Sequence, residues 1–240
     1  IKASLKIQGL SLNMPLVLAL DTSTKGCSAA LFDGQDCLVH RQVIEDGFVH
    51  AEQLHLIVDA LFKEAPYDFK DLEAVAVGSG PGSYTGLRIG VSAGKGYAFA
   101  LDKELIGVDS LALLAQQGKN EMEAKKLGAE VILSVIDSRR QEVYARIQRL
   151  SGEVLLETSS IDLEGFSFEP YLTASSGLMV VGDAIEKIRS YLIVHEAHYA
   201  VTYSEAYPNA RFMGYFVQHA FDNQAFESLS SFEPNYIKPV

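Results

Sequence analysis

Cysteine, basic charge and long apolar runs are all scarce in this chain of 240 residues. Its two cysteines, Cys27 and Cys37, stand at no paired spacing, which excludes a disulfide framework and a cysteine zinc site and suits a reduced, cytoplasmic protein. No stretch approaches the roughly 18 consecutive apolar residues of a membrane-spanning helix, so no membrane association is expected. Lys and Arg number 20 against 31 Asp and Glu, a net charge of −11. Without Lys2 and Lys6, the only charged residues among positions 1–13, 18 basic groups face 31 acidic ones, or −13. No segment gathers enough Lys and Arg to neutralise a run of phosphates, so the chain alone makes a poor binder of nucleic acid. Any RNA would reach it through a partner.

Familiar catalytic signatures are missing as well. Ser92-Ala93-Gly94-Lys95 fits S-x-x-K but lacks the companion motifs of that acylase chemistry. The stretch 90–96, GVSAGKG, is one residue short of a P-loop and has no Ser or Thr after Lys95. In 82–86, GSYTG, the serine stands one place too early for a nucleophile elbow. His50 and His55 would lie roughly 140° apart around a helix and cannot chelate one metal from one face. His195 and His198 have usable spacing but no third ligand nearby.

What is present is an apolar content of 48%, enough for a sizeable core. Residues 1–13 read as an expression leader or a disordered segment, with Met14 as the natural start. Residues 16–20 form an apolar strand ending in the polar turn 21–26, and 27–32 and 37–44 continue as a meander. Residues 50–63 read as an amphipathic helix with Ala51, Leu54, Val58 and Leu61 on one stripe, widened by Ile57 and Phe62. An apolar strand over 72–77 leads into GSGPGSYTGLR at 78–88, and a helical pattern runs from 85 to 101.

That glycine-rich turn between strand and helix would suit an anion at the helix N-terminus, or a tight connection with no ligand. The fourfold spacing of Gly86, Gly90, Gly94 and Ala98 puts all four on one helix face, where another backbone can approach closely. The contact lies either within this chain or with a second one; if it is with a second chain, Gly90→Arg is expected to block it and leave the fold intact.

Further on, 105–109 is a short strand. Ser110 is the expected cap of a helix through Gln117, and 119–128 is a charged, exposed stretch. Strands follow at 131–136, 143–149 and 178–181, with helices from 183 to about 191 and over 209–221. Residues 159–176 read as irregular, and the tail 233–238 as extended along the surface. The unit of strand, Asp21-Thr22, turn and strand recurs as strand, Asp137-Ser138, turn and strand about half a chain later. That repeat predicts an α/β fold of two similar lobes around a cleft. The expected division is 14–108 and 109–206, with the helix 207–222 packing back on the first lobe and a tail 223–240. Asp21, Thr22, Ser23 and Thr24, with Asp137 opposite, are the candidates for holding a magnesium nucleotide. The competing reading has each Asp stabilising its own turn.

The segments LALDTSTKGCSAAL, HAEQLHLIVDALF, VAVGSGPGSYTGLRIGVSAGKGYA, IGVDSLALLA, VIDSRRQEVYA and EPNYIKP together resemble the bacterial TsaB family, also called YeaZ. The resemblance implies the two-lobed fold of actin, Hsp70 and sugar kinases. It also implies a subunit that pairs with the paralogue TsaD and the ATPase TsaE to transfer a threonylcarbamoyl group to the adenosine beside the tRNA anticodon. TsaD binds its metal through His-x-x-x-His on the corresponding helix, and here Leu54 follows His50 at that spacing. Gly182-Asp183 is a thin match to the superfamily's adenine-binding glycine pair. The implied role is therefore a scaffold and activating subunit without its own active site. No cofactor is expected for the isolated chain, and any Mg-ATP or Mg-ADP would be shared with the TsaD/TsaE complex. The implied interface comprises His50, Leu54, Ile57, Leu61, Thr85, Gly86, Ile89, Gly90, Ala93 and Gly94, used by TsaD or, when the chain is alone, by a second copy in a homodimer. Rival readings are an autonomous enzyme of the same fold, either a metallopeptidase or an ATPase or kinase, and a plain homodimeric interaction protein.

Overall fold

Alternating apolar residues of the first strand serve two different cores, which is why its sequence reads as an unbroken apolar run. The computed structural model describes residues 14–45, 50–172, 177–195 and 200–238. Strand β1 (Leu16–Asp21) is buried along its whole length. Its Leu16, Leu18 and Leu20 face one helical layer, and Val17 and Ala19 face another. A strand covered on both faces has no polar side to alternate with. Each fully buried leucine there contributes about 2 kcal/mol relative to exposure.

β2 (Gly26–Asp33) and β3 (Asp36–Ile44) continue antiparallel from β1. The chain then forms α1 (His50–Glu64), β4 (Ala74–Gly80), α2 (Tyr84–Leu101) and β5 (Glu104–Asp109), with β4 parallel to β1 and β5 parallel to β4. The sheet order is β3-β2-β1-β4-β5. After α3 (Ser110–Lys125), the plan repeats with β6 (Val131–Asp137), β7 (Glu142–Arg149), β8 (Val154–Asp162), β9 (Leu178–Gly182), α4 (Ile185–Val194) and β10 (Val201–Glu205). The second order, β8-β7-β6-β9-β10, is the first one again, with the same parallel and antiparallel pairs. A mixed sheet of this order, duplicated, is the two-lobed architecture of actin, Hsp70 and the sugar kinases.

The last helix, α5 (Gly214–Asn223), returns to the first sheet. Its Val217 and Ala220 join Val17, Ala19, Ala30, Phe32, Ile106 and Val108 in one core. α3 in turn packs Leu111, Leu114 and Met122 on Ile132, Ile136, Met179 and Val181 of the second sheet.

Several local readings shift. α3 is capped by Asp109, whose Oδ1 accepts from the Leu111 and Ala112 amides at 2.9 and 2.8 Å; Ser110 is the first helical residue. The helix runs on to Lys125 through the charged stretch because Met122 is buried on its inner face. Ala51 of α1 is exposed, and His50 joins Leu54, Ile57, Val58 and Leu61 on the buried side. β8 occupies part of the stretch read as irregular, and β10 carries a polar-apolar mixture at a sheet edge.

Candidate functional site

Between the lobes lies a cleft of about 950 Å³. One wall is the β1–β2 turn (Ser23, Thr24, Lys25) and the start of α2 (Ser83, Tyr84, Thr85). The other is the β6–β7 turn (Asp137 to Arg140) with Asp183, and the tail residues 235–238 line its rim. The repeated strand-Asp-turn-strand unit thus places its two turns opposite each other.

The two aspartates differ in their surroundings. Asp21 is fully buried. Its Oδ1 accepts from the Ser23 amide at 3.0 Å and the Ser23 hydroxyl at 2.9 Å, whereas its Oδ2 has no hydrogen-bond partner among the described residues. Burial pushes its carboxyl up to about 6, against the lowering effect of the two Ser23 hydrogen bonds. The carboxyl group sits against Gly78, where any side chain would overlap Oδ2. Burial, with the neighbouring Asp21 charge, pushes the Cys27 thiol up to about 12, which makes it inert. Thr22 is also behind the wall, donating from Oγ1 to the Gly86 carbonyl at 2.7 Å. Asp137 does face the cleft, but its Oδ1 accepts from the Arg139 amide at 2.8 Å and its Oδ2 pairs with Lys187 Nζ at 3.0 Å. Its own amide donates to Asp183 Oδ1 at 2.8 Å. Burial raises the Asp183 carboxyl above its ordinary range.

Of the five nucleotide candidates, then, Ser23, Thr24 and Asp137 line the cleft, and Asp21 and Thr22 stand behind it. The two carboxylates proposed to share a magnesium ion do not both open onto it. These turns do not fit a magnesium nucleotide as they stand, because one acid is buried and the other is held by a lysine.

The ten interface candidates also divide. His50, Leu54, Ile57, Leu61, Gly86, Gly90 and Gly94 are buried within the chain. The glycine spacing does mark a close approach, but what approaches is the protein's own Thr22 and Val77, through backbone at Gly86 and through side chains at Gly90 and Gly94. A methyl group on Gly86 would overlap the Thr22 carbonyl, one on Gly90 would overlap Thr22 Oγ1, and one on Gly94 would overlap Val77. The glycines let α2 settle onto β1 and β4, so Gly90→Arg cannot leave the fold intact as expected from sequence. His50 Nε2 donates to the Thr24 carbonyl at 2.7 Å and pins the β1–β2 turn to the start of α1. Thr85 is exposed, whereas Ile89 and Ala93 are half-buried against the first-lobe core. Beside them are residues that periodicity had not singled out: Leu56 of α1 is 63% exposed and Phe99 of α2 is 80% exposed. His55 Nδ1 and the Tyr97 hydroxyl, 2.8 Å apart, link the two helices.

Among the described residues no three His, Cys, Asp or Glu side chains converge as a metal group would require. His195 forms a ring stack with Tyr191, and His198 lies outside the described residues.

A duplicated actin-like fold around a cleft with engaged carboxylates defines the class. Comparison with known proteins narrows it. Residues 48–203 match the family model described as TsaD, tRNA N6-adenosine threonylcarbamoyltransferase, so the chain belongs to that family. Its curated relatives include the tRNA threonylcarbamoyladenosine biosynthesis protein TsaB of Escherichia coli, 34% identical over 134 residues, which are 55% of this chain and 55% of that one. The protein of the same name in Haemophilus influenzae is 32% identical over 129 residues, 53% and 51% of the two chains. The chain thus spans about half the length of the curated relatives it matches. Among solved structures, YeaZ from Pseudomonas aeruginosa superposes with a TM-score of 0.76 at 26% identity, covering 93% of this chain and 100% of that one.

Proposed function

We propose that the chain is a TsaB-type scaffold and activating subunit in bacterial synthesis of N6-threonylcarbamoyladenosine on tRNA. It would pair with a TsaD-like paralogue and a TsaE-like ATPase and carry no active site of its own. One observation carries the reading. The position four residues after His50, where the resemblance implies a second metal-binding histidine in TsaD, is Leu54, fully buried in the core of the first lobe. His50 itself is committed to the Thr24 carbonyl. Helix α1 therefore presents a packing face where a catalytic paralogue would present two imidazoles.

The negative charge of the chain is consistent with tRNA being held by other subunits. The outward side of α1 and α2, with Leu56, Ile89, Ala93 and Phe99, is the surface proposed for the TsaD-like partner or for a second copy of this chain. Deleting the gene is expected to remove threonylcarbamoyladenosine from bulk tRNA, read by nucleoside mass spectrometry. The Leu56→Asp, Phe99→Asp double variant should fail to restore it and should elute apart from the TsaD-like partner on sizing chromatography while melting like the wild type. Unchanged modified nucleoside in the deletion strain, or turnover of Mg-ATP by the isolated chain, would overturn the proposal.

A further inference from the structure

The tail after α5 is tied down along its length. The Glu227 amide donates to the Leu105 carbonyl of β5 at 2.8 Å. Lys95 Nζ on α2 donates to the Phe232 carbonyl at 2.8 Å, and the Asn235 amide to the Ser79 carbonyl at 2.7 Å. Tyr236 then packs on Tyr84 with ring centroids 5.0 Å apart and accepts from Arg88 Nε at 3.2 Å. Two residues later the chain has crossed to the other lobe, where Lys238 pairs with Glu142 and sits 5.9 Å over the Tyr144 ring, both on β7.

We propose that residues 233–238 form a latch across the mouth of the cleft, holding the two lobes at a fixed spacing, with the Lys238–Glu142 pair as its catch. The anchoring is asymmetric. On the first lobe the tail is held by hydrogen bonds to main-chain carbonyls and by aromatic packing. On the second lobe, among the described residues, its charged contacts are those of Lys238 with Glu142 and with the Tyr144 ring, and the ion-paired side chains are 34% and 37% exposed, where water competes with the pairing. The second-lobe end is thus the end that lets go. Because residues 235–238 line the cleft, release widens access to it without disturbing either sheet.

Amide hydrogen exchange on the full chain tests the latch. Lys238→Glu places two carboxylates together, and exchange in 83–87 and in the β6–β7 turn, 138–141, should rise roughly threefold to tenfold, with β1 and β6 unchanged. Glu142→Lys should act alike, and the double swap, Lys238→Glu with Glu142→Lys, should return exchange to the wild-type rate. Tyr236→Ala, which loosens the tail on the first lobe and leaves Glu142 untouched, should reproduce the increase. Unchanged exchange in the single variants, or a double swap that fails to restore the rate, would overturn the latch.

Discussion

Asp21 is the residue whose environment is most at odds with its charge. It is fully buried, and among the described residues one of its carboxylate oxygens has no hydrogen-bond partner. A carboxyl raised from 3.8 to about 6 binds its proton more tightly folded than unfolded. Below pH 3.8 both states are protonated and the group costs nothing. Between 3.8 and about 6 the unfolded chain ionises first, so stability falls as pH rises, and above that window the loss is constant at roughly 3 kcal/mol. Asp21→Asn keeps an oxygen for Ser23 and removes the titration. The stability of the wild type relative to this variant is therefore expected to decline between pH 4 and 6 and then level off, measured by urea unfolding at several pH values. Parallel profiles would show that Asp21 does not titrate in that range. The same buried geometry explains why Asp21 misled as a cleft ligand. A short acid after a strand looks identical in sequence whether it faces the cleft or folds back on its own turn.

At the scale of the element, α2 shows how two glycines of one helix can have opposite effects. In a solvated helix Gly→Ala stabilises by about 1 kcal/mol. Gly96 is exposed, and a methyl group there would meet nothing within 4 Å, so Gly96→Ala is expected to stabilise by roughly 0.5–1 kcal/mol. Gly90→Ala would overlap Thr22 Oγ1, the atom that donates to the Gly86 carbonyl, and should destabilise by about 1–3 kcal/mol despite its better propensity. Chemical denaturation of the pair checks the opposite signs. If both variants stabilise, α2 does not rest on β1 as described. The periodicity of the sequence exposed the glycine face, and with it the strands and helices whose apolar residues repeat regularly, including β1, β4, α1 and β6. It could not supply the neighbour, because Thr22 and Gly86 are 64 positions apart. β8 and β10 were obscured for a related reason: both are sheet edges with half-buried residues, so their apolar alternation is diluted. The tail has no period at all, and its path across the cleft is set by isolated hydrogen bonds, the packing of Tyr236 on Tyr84 and the Lys238–Glu142 pair.

Over the whole molecule the two lobes are less separable than the repeat suggests. The duplicated sheets account for the cleft, and both facing turns were readable from Asp21-Thr22 and Asp137-Ser138. The helices that complete each core, however, are exchanged along the chain. α5 follows the last strand of the second sheet yet covers the first, so the apolar face of Val17, Ala19, Ala30, Phe32, Ile106 and Val108 depends on residues after position 210. Truncating Val217, which is fully buried, should therefore weaken strands more than 100 positions earlier in the sequence. Val217→Ala is expected to cost about 2 kcal/mol. In native-state hydrogen exchange the lost protection should fall on β1, β4 and β5, with β6 and β9 keeping more of theirs. Loss centred on β6 and β9 would assign α5 to the second lobe. Equal loss in both sheets would mean that the lobes unfold as one cooperative unit, with the exchanged helices as the physical reason for their coupling.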